Sequence, residues 1–172
     1  SMDAVLENNA LCEAAICYTG DIHDPNRAKY NLNYYVNMAK ELQKAGAHII
    51  GIKDMAGVCR PLAITALVKA IKEEVGLPVH FHTHDTSGAS IASVVAAINA
   101  GVDAVDGAMD SMSGLTAQPS LGGIIAATEG SDRDSGIHLN QIRPVSTYWE
   151  GVRKFYSAFE ADIRSGTSDV YL

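Results

Sequence analysis

The stretch PVHFHTHD, residues 78–85, places three of the six histidines of the chain at alternate positions. Alternate side chains of a β-strand lie on the same face, so His80, His82 and His84 are predicted to share one face of a strand. Two imidazoles in this relation can bind one divalent metal ion. The alternative is a strand whose histidines only fill a polar layer of the core. Because the three histidines fall so close together, we favour the metal.

Composition and charge restrict the class of protein. The chain has 172 residues, of which 47% are hydrophobic and 19% charged, which suits one domain with a buried core. The formal net charge of -7 argues against a surface that binds nucleic acid. Cys12, Cys17 and Cys59 show no CxxC spacing, which favours a reducing, cytoplasmic location over a disulfide framework. No apolar run reaches about 18 residues, so neither a membrane span nor a secretion signal is predicted.

A strand followed by a helix recurs along the chain. Short apolar runs predict strands over residues 14–18, 48–53, 79–84 and 102–108. Helical patterns separate them: one ends at Gly46, one runs from Pro61 to Gly76, and one begins at Thr86 or Ser87 and ends at Gly101. This alternation predicts right-handed crossovers and a parallel sheet.

The repeat breaks after residue 111. A loop is predicted over 112–120, a helix over 121–128 and a longer helix over 140–160. The long helix contains aromatic residues at helical spacing, and we expect them to pack in the core rather than bind a ligand. These aromatic residues are Tyr148, Trp149, Phe155, Tyr156 and Phe159.

Polar segments follow three of the predicted strands, at the end where parallel α/β proteins form their sites. One of them begins at Lys53, which ends a strand of isoleucines, and an amine there is costly to bury unless it is paired or uncharged. Addition of carbon dioxide to the neutral amine gives a carbamate, an anionic oxygen ligand. A carbamate and two imidazoles would suit Zn²⁺ or Mn²⁺. The alternative is an ordinary ion pair of Lys53 with Asp54 or Asp85.

Three further carboxylates lie near these strand ends. Asp106 and Asp110 are candidates to orient His82 or His84, or to cap the following helix, and the sequence leaves both possibilities open. Asp85 is predicted to cap a helix or orient a histidine rather than to bind a metal directly.

Other chemistry-bearing residues are given a passive role. His23 and His138 stand alone in predicted loops and are expected to be solvated. Cys59 lies near the proposed site, but nothing in the sequence would activate it as a nucleophile. The isolated glycines at the strand ends do not form a dinucleotide-binding fingerprint, so we expect no NAD site.

Four segments resemble the carboxyltransferase domain of the pyruvate carboxylase family. They are residues 18–21 (YTGD), 51–57 (GIKDMAG), 82–88 (HTHDTSG) and 110–120 (DSMSGLTAQPS), in the same order as in the family. The resemblance covers essentially the whole chain. It implies an α/β fold in which parallel (β/α) units form the second half, strands five to eight, of a TIM-type barrel, followed by the start of a C-terminal helical extension.

The resemblance also implies a division of the chain. Residues 1–3 would be the remnant of an expression tag, residues 4–130 the half-barrel, and residues 131–172 the start of the helical extension. A half-barrel leaves two sheet edges unpaired, near Ile16 and Val105. Open edges invite association, so a non-catalytic assembly module is a second hypothesis, and we expect a homo-oligomer with no nucleic-acid or membrane partner.

The chemistry that the resemblance implies centres on a metal. Lys53 would be the carbamylated, catalytic ligand, with His82 and His84 as the histidine ligands of Zn or Mn. Carboxybiotin would lose carbon dioxide near the metal, and pyruvate would become an enolate that attacks it to give oxaloacetate. Biotin on a carrier domain, and ATP used by another domain, would belong to other parts of the parent polypeptide.

Several family residues are missing from this chain. The remaining metal ligand of the family, an Asp after the first barrel strand, its substrate-binding Arg residues and its proton-shuttling Thr lie in other segments. We therefore expect the chain alone to be inactive and to bind metal weakly or not at all. Oxaloacetate decarboxylase and transcarboxylase subunits share the Lys and paired His, but more often carry HATTG where this chain has HDTSG at residues 84–88.

Overall fold

A computed structural model describes residues 2–26 and 28–160 of the chain. The strands are β1 (Glu13–Cys17), β2 (Ile49–Asp54), β3 (Val79–Thr83) and β4 (Ala104–Val105). The helices are α1 (Met2–Glu7), α2 (Leu32–Lys44), α3 (Pro61–Glu74), α4 (Ser90–Ala100), α5 (Leu121–Thr128) and α6 (Leu139–Phe155). Short 3-10 turns cover Ala28–Tyr30, Asp110–Met112 and Ser157–Phe159.

The strands form one parallel sheet in the order β1, β2, β3, β4. The register pairs Cys17 with Lys53, and Lys53 with His82, in one row across the sheet. A helix joins each strand to the next, so the predicted βα units and the parallel sheet are confirmed. The edge strands are β1 and β4, which contain Ile16 and Val105, as the half-barrel predicts.

One face of the sheet is covered by helices and the other is open. Ile16, Ile52 and Phe81 project from one face and are buried in a core that they share with side chains of α2, α3 and α4. Residues on the opposite face, including Lys53 and His82, remain partly exposed. Helices outside and a polar inner face are the arrangement of half an α/β barrel. The inner face is accessible because nothing covers it in the described part of the chain.

Several element boundaries differ from the prediction: α6 ends at Phe155 rather than at residue 160, β3 ends at Thr83, and the largest differences are in β4 and α4. β4 covers only two residues, and Ala108, which was predicted to belong to it, forms an isolated parallel bridge with Ser120. α4 begins at Ser90, and neither Thr86 nor Ser87 caps it: the Asp85 carboxylate accepts the hydrogen bond from the Ser90 N–H. The N-cap residue is Ala89, which makes no side-chain hydrogen bond, so Asp85 contacts the first turn of α4 without being its N-cap residue.

The expectation that the aromatic residues of the last helix lie in the core is wrong. Their exposed fractions range from 39% for Trp149 to 86% for Phe159. The helix α6 contacts mainly the turn Asp110–Met112 and α5, so most of its surface meets no other element in the described residues. Helical spacing shows that residues share a face, but it does not show that another element covers that face.

Asp103, just before β4, links three elements at the amino end of the sheet. Its carboxylate accepts hydrogen bonds from the Lys72 ammonium of α3 at 2.8 Å and from the Val79 N–H of β3 at 2.7 Å. Burial raises the pKa of Asp103, but these two hydrogen bonds outweigh it and hold the pKa below its usual range.

The proposed division into residues 1–3, 4–130 and 131–172 stays a prediction. Met2 and Asp3 belong to α1, and the segment between α5 and α6 is a polar loop, as expected. Residues 161–172 of the predicted extension lie outside the described residues. No helix within residues 2–26 and 28–160 is long and apolar enough to cross a membrane.

Candidate metal site at the carboxyl ends of the strands

His82 and His84 direct their Nε2 atoms at each other across 3.1 Å. The Nδ1 atom of His82 lies 2.6 Å from the Asp106 carboxylate, and that of His84 lies 2.7 Å from the Thr116 carbonyl oxygen. Both partners only accept, so each Nδ1 carries a hydrogen, and a ring in its neutral form then has its lone pair on Nε2. Two facing lone pairs repel each other unless a proton or a cation lies between them.

The separation of the two Nε2 atoms suits a metal ion. Zinc binds imidazole nitrogen at about 2.0–2.1 Å, and a tetrahedral angle then places two such nitrogens about 3.3 Å apart. The hydrogen-bonded Nδ1 atoms are the arrangement that fixes metal-binding histidines in proteins. Among residues 2–26 and 28–160, however, no three His, Cys, Asp or Glu side chains come together in a metal-binding group. A complete site therefore needs ligands of another kind or from outside these residues.

Lys53 lies beside this pair. It is the register partner of His82, and paired residues of parallel strands project from the same face of a sheet. The alternative of an ion pair with Asp54 or Asp85 is wrong, because both carboxylates accept other hydrogen bonds and neither pairs with Lys53. Within the described residues, the half-buried Lys53 amine has no ion-pair or hydrogen-bond partner.

The sequence left open whether Asp106 and Asp110 orient a histidine or cap the following helix, and each residue takes one of these roles. Asp106 orients His82, as given above. Asp110 accepts hydrogen bonds from the Gly122 N–H at 2.8 Å and the Ser120 hydroxyl at 2.7 Å, and so stabilises the start of α5. The spacing of the two aspartates along the chain could not distinguish these roles, because both partners are set by the tertiary fold.

His80 shares the strand face of His82 but does not point at the metal site. Its Nδ1 lies 2.9 Å from Glu13 Oε1 and its Nε2 lies 3.1 Å from Asp106 Oδ1. Both bonds form together only when both ring nitrogens carry hydrogen. Burial lowers the pKa of His80, but the hydrogen bond to Glu13 and the charge of Asp106 outweigh it, and the pKa is raised above 6.5.

Asp54 holds the loop between β2 and α3, a role that our sequence analysis did not identify. Its buried carboxylate accepts hydrogen bonds from the Val58 N–H at 3.0 Å, the Cys59 N–H at 2.9 Å and the Thr83 hydroxyl at 2.9 Å. The sequence signal was present, since an aspartate that ends a buried strand and precedes a glycine is typical of a carboxylate-bound loop.

The same loop passes close to the backbone of His84. Gly57 has φ +66°, and a Cβ there would collide with the His84 carbonyl oxygen. That carbonyl also accepts a hydrogen bond from the Ser90 hydroxyl. The position therefore requires glycine both for its backbone conformation and for the close approach.

The loop before α5 supplies the carbonyl that orients His84. Two more carbonyl groups of this loop accept hydrogen bonds from the segment after β3. The Ala117 carbonyl accepts from the Asp85 N–H at 2.9 Å, and the Leu115 carbonyl accepts from the Thr86 hydroxyl. Leu115 has φ +50°, a conformation that non-glycine residues rarely adopt. The contribution of Thr116 escaped our sequence analysis because a backbone carbonyl carries no signature in the residue type.

His23, His138 and Cys59 lie outside the paired-imidazole site. His23 and His138 are exposed, and His138 lies at the start of α6. Cys59 is fully buried, and this burial, aided by the charge of Asp54, raises the pKa of its thiol well above the usual value. A thiol in that environment is not activated as a nucleophile.

The fold and the site together define a class of protein: an α/β half-barrel with a paired-imidazole site at the carboxyl ends of its strands. Residues 18–148 match the model of the HMGL-like family, and the chain belongs to that family. The chain is 53% identical over 171 residues to pyruvate carboxylase of Bacillus subtilis, and 50% identical over 173 residues to the mitochondrial pyruvate carboxylase of Mus musculus. Each alignment covers 99% of this chain but 15% of the relative.

The fold of this chain is similar to solved structures of a carboxyltransferase domain. The domain of Rhizobium etli pyruvate carboxylase with pyruvate is 60% identical and matches with a TM-score of 0.97, over 100% of this chain and 29% of that one. The same domain with pyruvate and biocytin also matches with a TM-score of 0.97, over 99% of this chain. The predicted resemblance and the barrel-type fold are thereby confirmed.

Proposed function

We propose that this chain is part of the carboxyltransferase domain of a pyruvate carboxylase, which transfers a carboxyl group from carboxybiotin to pyruvate to give oxaloacetate. The observation that carries the proposal is the 3.1 Å approach of the His82 and His84 Nε2 atoms beside the row that contains Lys53. The similarity to the Rhizobium etli domain with pyruvate and biocytin supports the same substrates.

Lys53, His82 and His84 are the residues that we assign to a divalent metal, Zn²⁺ or Mn²⁺. A metal bound there would supply a Lewis acid toward the oxygen atoms of pyruvate. The residues of the chain hold its ligands in position: Asp106 and Thr116 fix the two imidazole rings. The unpaired Lys53 amine, when neutral, can form a C–N bond to carbon dioxide and release a proton, and the carbamate then presents anionic oxygen on the same face of the sheet.

The remaining partners belong to the parent polypeptide, of which this chain spans about a seventh of the length in its curated relatives. We expect biotin on a carrier domain, ATP at another domain and the missing aspartate ligand elsewhere in that polypeptide. The chain alone should therefore be inactive. The resemblance to oxaloacetate decarboxylase subunits is less favoured, since the reported relatives are pyruvate carboxylases. Cytoplasmic location stays a prediction.

The decisive experiment completes the barrel. The chain is extended at both ends to the limits of the Rhizobium etli domain, and oxaloacetate decarboxylation is assayed with free biotin. We expect activity that Lys53→Ala and His82→Ala abolish, while His138→Ala, at an exposed position outside the site, retains it. A folded, metal-loaded and complete barrel without activity would contradict the proposal.

Metal analysis of the present chain tests the site itself. We expect zinc or manganese to bind weakly or not at all, and any binding to be lost in His82→Ala and in His84→Ala and unchanged in His138→Ala. A wild-type affinity that survives the removal of both site histidines would mean that the metal is bound elsewhere.

Assembly without catalysis is the second candidate, and the open edges of the sheet favour it. β1 and β4 have no further strand beside them in the described part of the chain, and the inner face is partly exposed. A second copy could cover these edges and give a homo-oligomer. Light scattering after size exclusion tests this, and a monodisperse monomer would contradict it.

A further inference from the structure

A continuous chain of polar contacts crosses the inner face of the sheet and ends at His82. Glu13 of β1 contacts His80 of β3 at 2.9 Å, His80 contacts Asp106 Oδ1 at 3.1 Å, and Asp106 Oδ2 contacts His82 at 2.6 Å. Glu13 lies 67 residues from His80 in sequence. Glu13 and His80 belong to β1 and β3, which are not neighbouring strands because β2 lies between them.

Gly51 of β2 leaves the space that Glu13 needs to reach over this strand. Gly51 is paired with Ala15 on one side and with His80 on the other. A Cβ built on Gly51 would lie 2.6 Å from Glu13 Oε1, a distance that real Cβ atoms essentially never show. No positive φ explains a glycine at this position. The Glu13 side chain, which passes over this position, explains the glycine.

Asp106 needs such support. It follows the two-residue strand β4, and its side chain is 40% exposed. Its only side-chain partners among the described residues are the two imidazoles, one on each carboxylate oxygen. With His80 in place, both oxygens are engaged and rotation of the carboxylate is restricted. With His80 displaced, only the contact to His82 would remain.

We propose that Glu13 and His80 are positioning residues: they hold the Asp106 carboxylate from the side opposite to His82, and so fix the ring orientation and the tautomer of His82. Gly51 is part of the same device, because any side chain there would block Glu13. The expected effect on metal affinity rests on the proposed function. The expected effect on the His82 ring does not, because it concerns contacts within this chain.

The test measures the His82 ring directly. The chain is labelled with ¹⁵N-histidine, and two-bond ¹H–¹⁵N correlation spectra give the tautomer of His82 in the metal-free protein. We expect one tautomer, protonated at Nδ1, in the wild type. Glu13→Ala and Gly51→Ala should both convert His82 to a mixture of tautomers, although Gly51→Ala leaves Glu13 in the sequence. Glu13→Gln keeps an oxygen acceptor for His80 and should retain more of the single tautomer.

Two controls separate this effect from a loss of folding. Gly151→Ala adds the same methyl group to a glycine of α6 that has open space around it, and should leave the His82 spectrum unchanged. Far-UV circular dichroism verifies that each variant is folded. Glu13→Gln is isosteric and its site is a partly exposed edge strand, so at least this variant is expected to fold.

Cobalt titration of the same variants separates this inference from the proposed function. Loss of a residue that orients a metal ligand weakens metal binding about 10-fold or more, and we expect that loss for Glu13→Ala and Gly51→Ala. A wild type that binds no cobalt, with a His82 tautomer that still shifts in the variants, would support the positioning role and show that this chain by itself holds no metal. A tautomer mixture in the wild type, or an unchanged His82 spectrum in folded Glu13→Ala and Gly51→Ala, would overturn the positioning role.

Discussion

Removal of the Asp54 carboxylate should destabilise the chain more than any other single change in the loops around the site. Three hydrogen bonds converge on this buried group, from the N–H groups of Val58 and Cys59 and from the Thr83 hydroxyl. A hydrogen bond to a charged group contributes about 1.5–3 kcal/mol, so the lower values alone sum to about 4.5 kcal/mol. Because neighbouring effects are not additive, we expect about 3–5 kcal/mol for Asp54→Ala, a large part of the stability of a domain.

Two further variants show whether hydrogen bonding is the cause. Thr83→Val removes one of the three donors and should cost about 1.5 kcal/mol. Asp54→Asn preserves the volume, but an amide offers only one oxygen, whereas Oδ1 and Oδ2 both accept in the native loop. At least one donor must then face the amide NH₂ group, and we expect a loss of about 2–3 kcal/mol.

The assay is urea unfolding at pH 7, followed by circular dichroism at 222 nm, with the free energy of unfolding extrapolated to water. The losses should follow the order Asp54→Ala, Asp54→Asn, then Thr83→Val, from the largest to the smallest. If Asp54→Asn unfolds within about 0.5 kcal/mol of the wild type, the carboxylate is not what holds the loop, and the account of this site fails.

Three other outcomes follow from single contacts. Gly57→Ala should lose more stability than Gly88→Ala, since both glycines have positive φ but only a Cβ at Gly57 would meet the His84 carbonyl; equal losses in urea unfolding would contradict the clash. Asp103→Asn should reduce stability at pH 7 and have little effect near pH 3. The depressed pKa of Asp103 gives stability that is present above the unfolded-state pKa of about 3.9 and is lost as the pH falls through the folded pKa. An equal loss of stability at both pH values would contradict this role of the Asp103 carboxylate. Cys59 should be alkylated by iodoacetamide, as followed by peptide mass spectrometry, only at the rate of unfolding, and rapid labelling of the native chain would show that its thiol is accessible.

Local patterns predicted much of the fold because they act over a few residues. The alternation in the histidine strand put His80 and His82 on one face, since side chains of a strand alternate whatever surrounds it. Pro61 at the start of α3 and Gly101 at the end of α4 marked helix ends, because proline and glycine restrict or permit backbone angles by themselves. The aromatic residues of α6 were misplaced because the helical period does not reveal which elements will contact a helix.

The amino-acid sequence by itself determined which residue types could form the site: one amine and two imidazoles at the ends of neighbouring parallel strands. Only the tertiary structure decided how they are aimed. The ring of His82 is held by Asp106, 24 residues away, and that of His84 by the Thr116 carbonyl, 32 residues away. The physical reason is that hydrogen bonds are directional and join groups that chain folding brings together, whereas the strand period is a property of the local backbone.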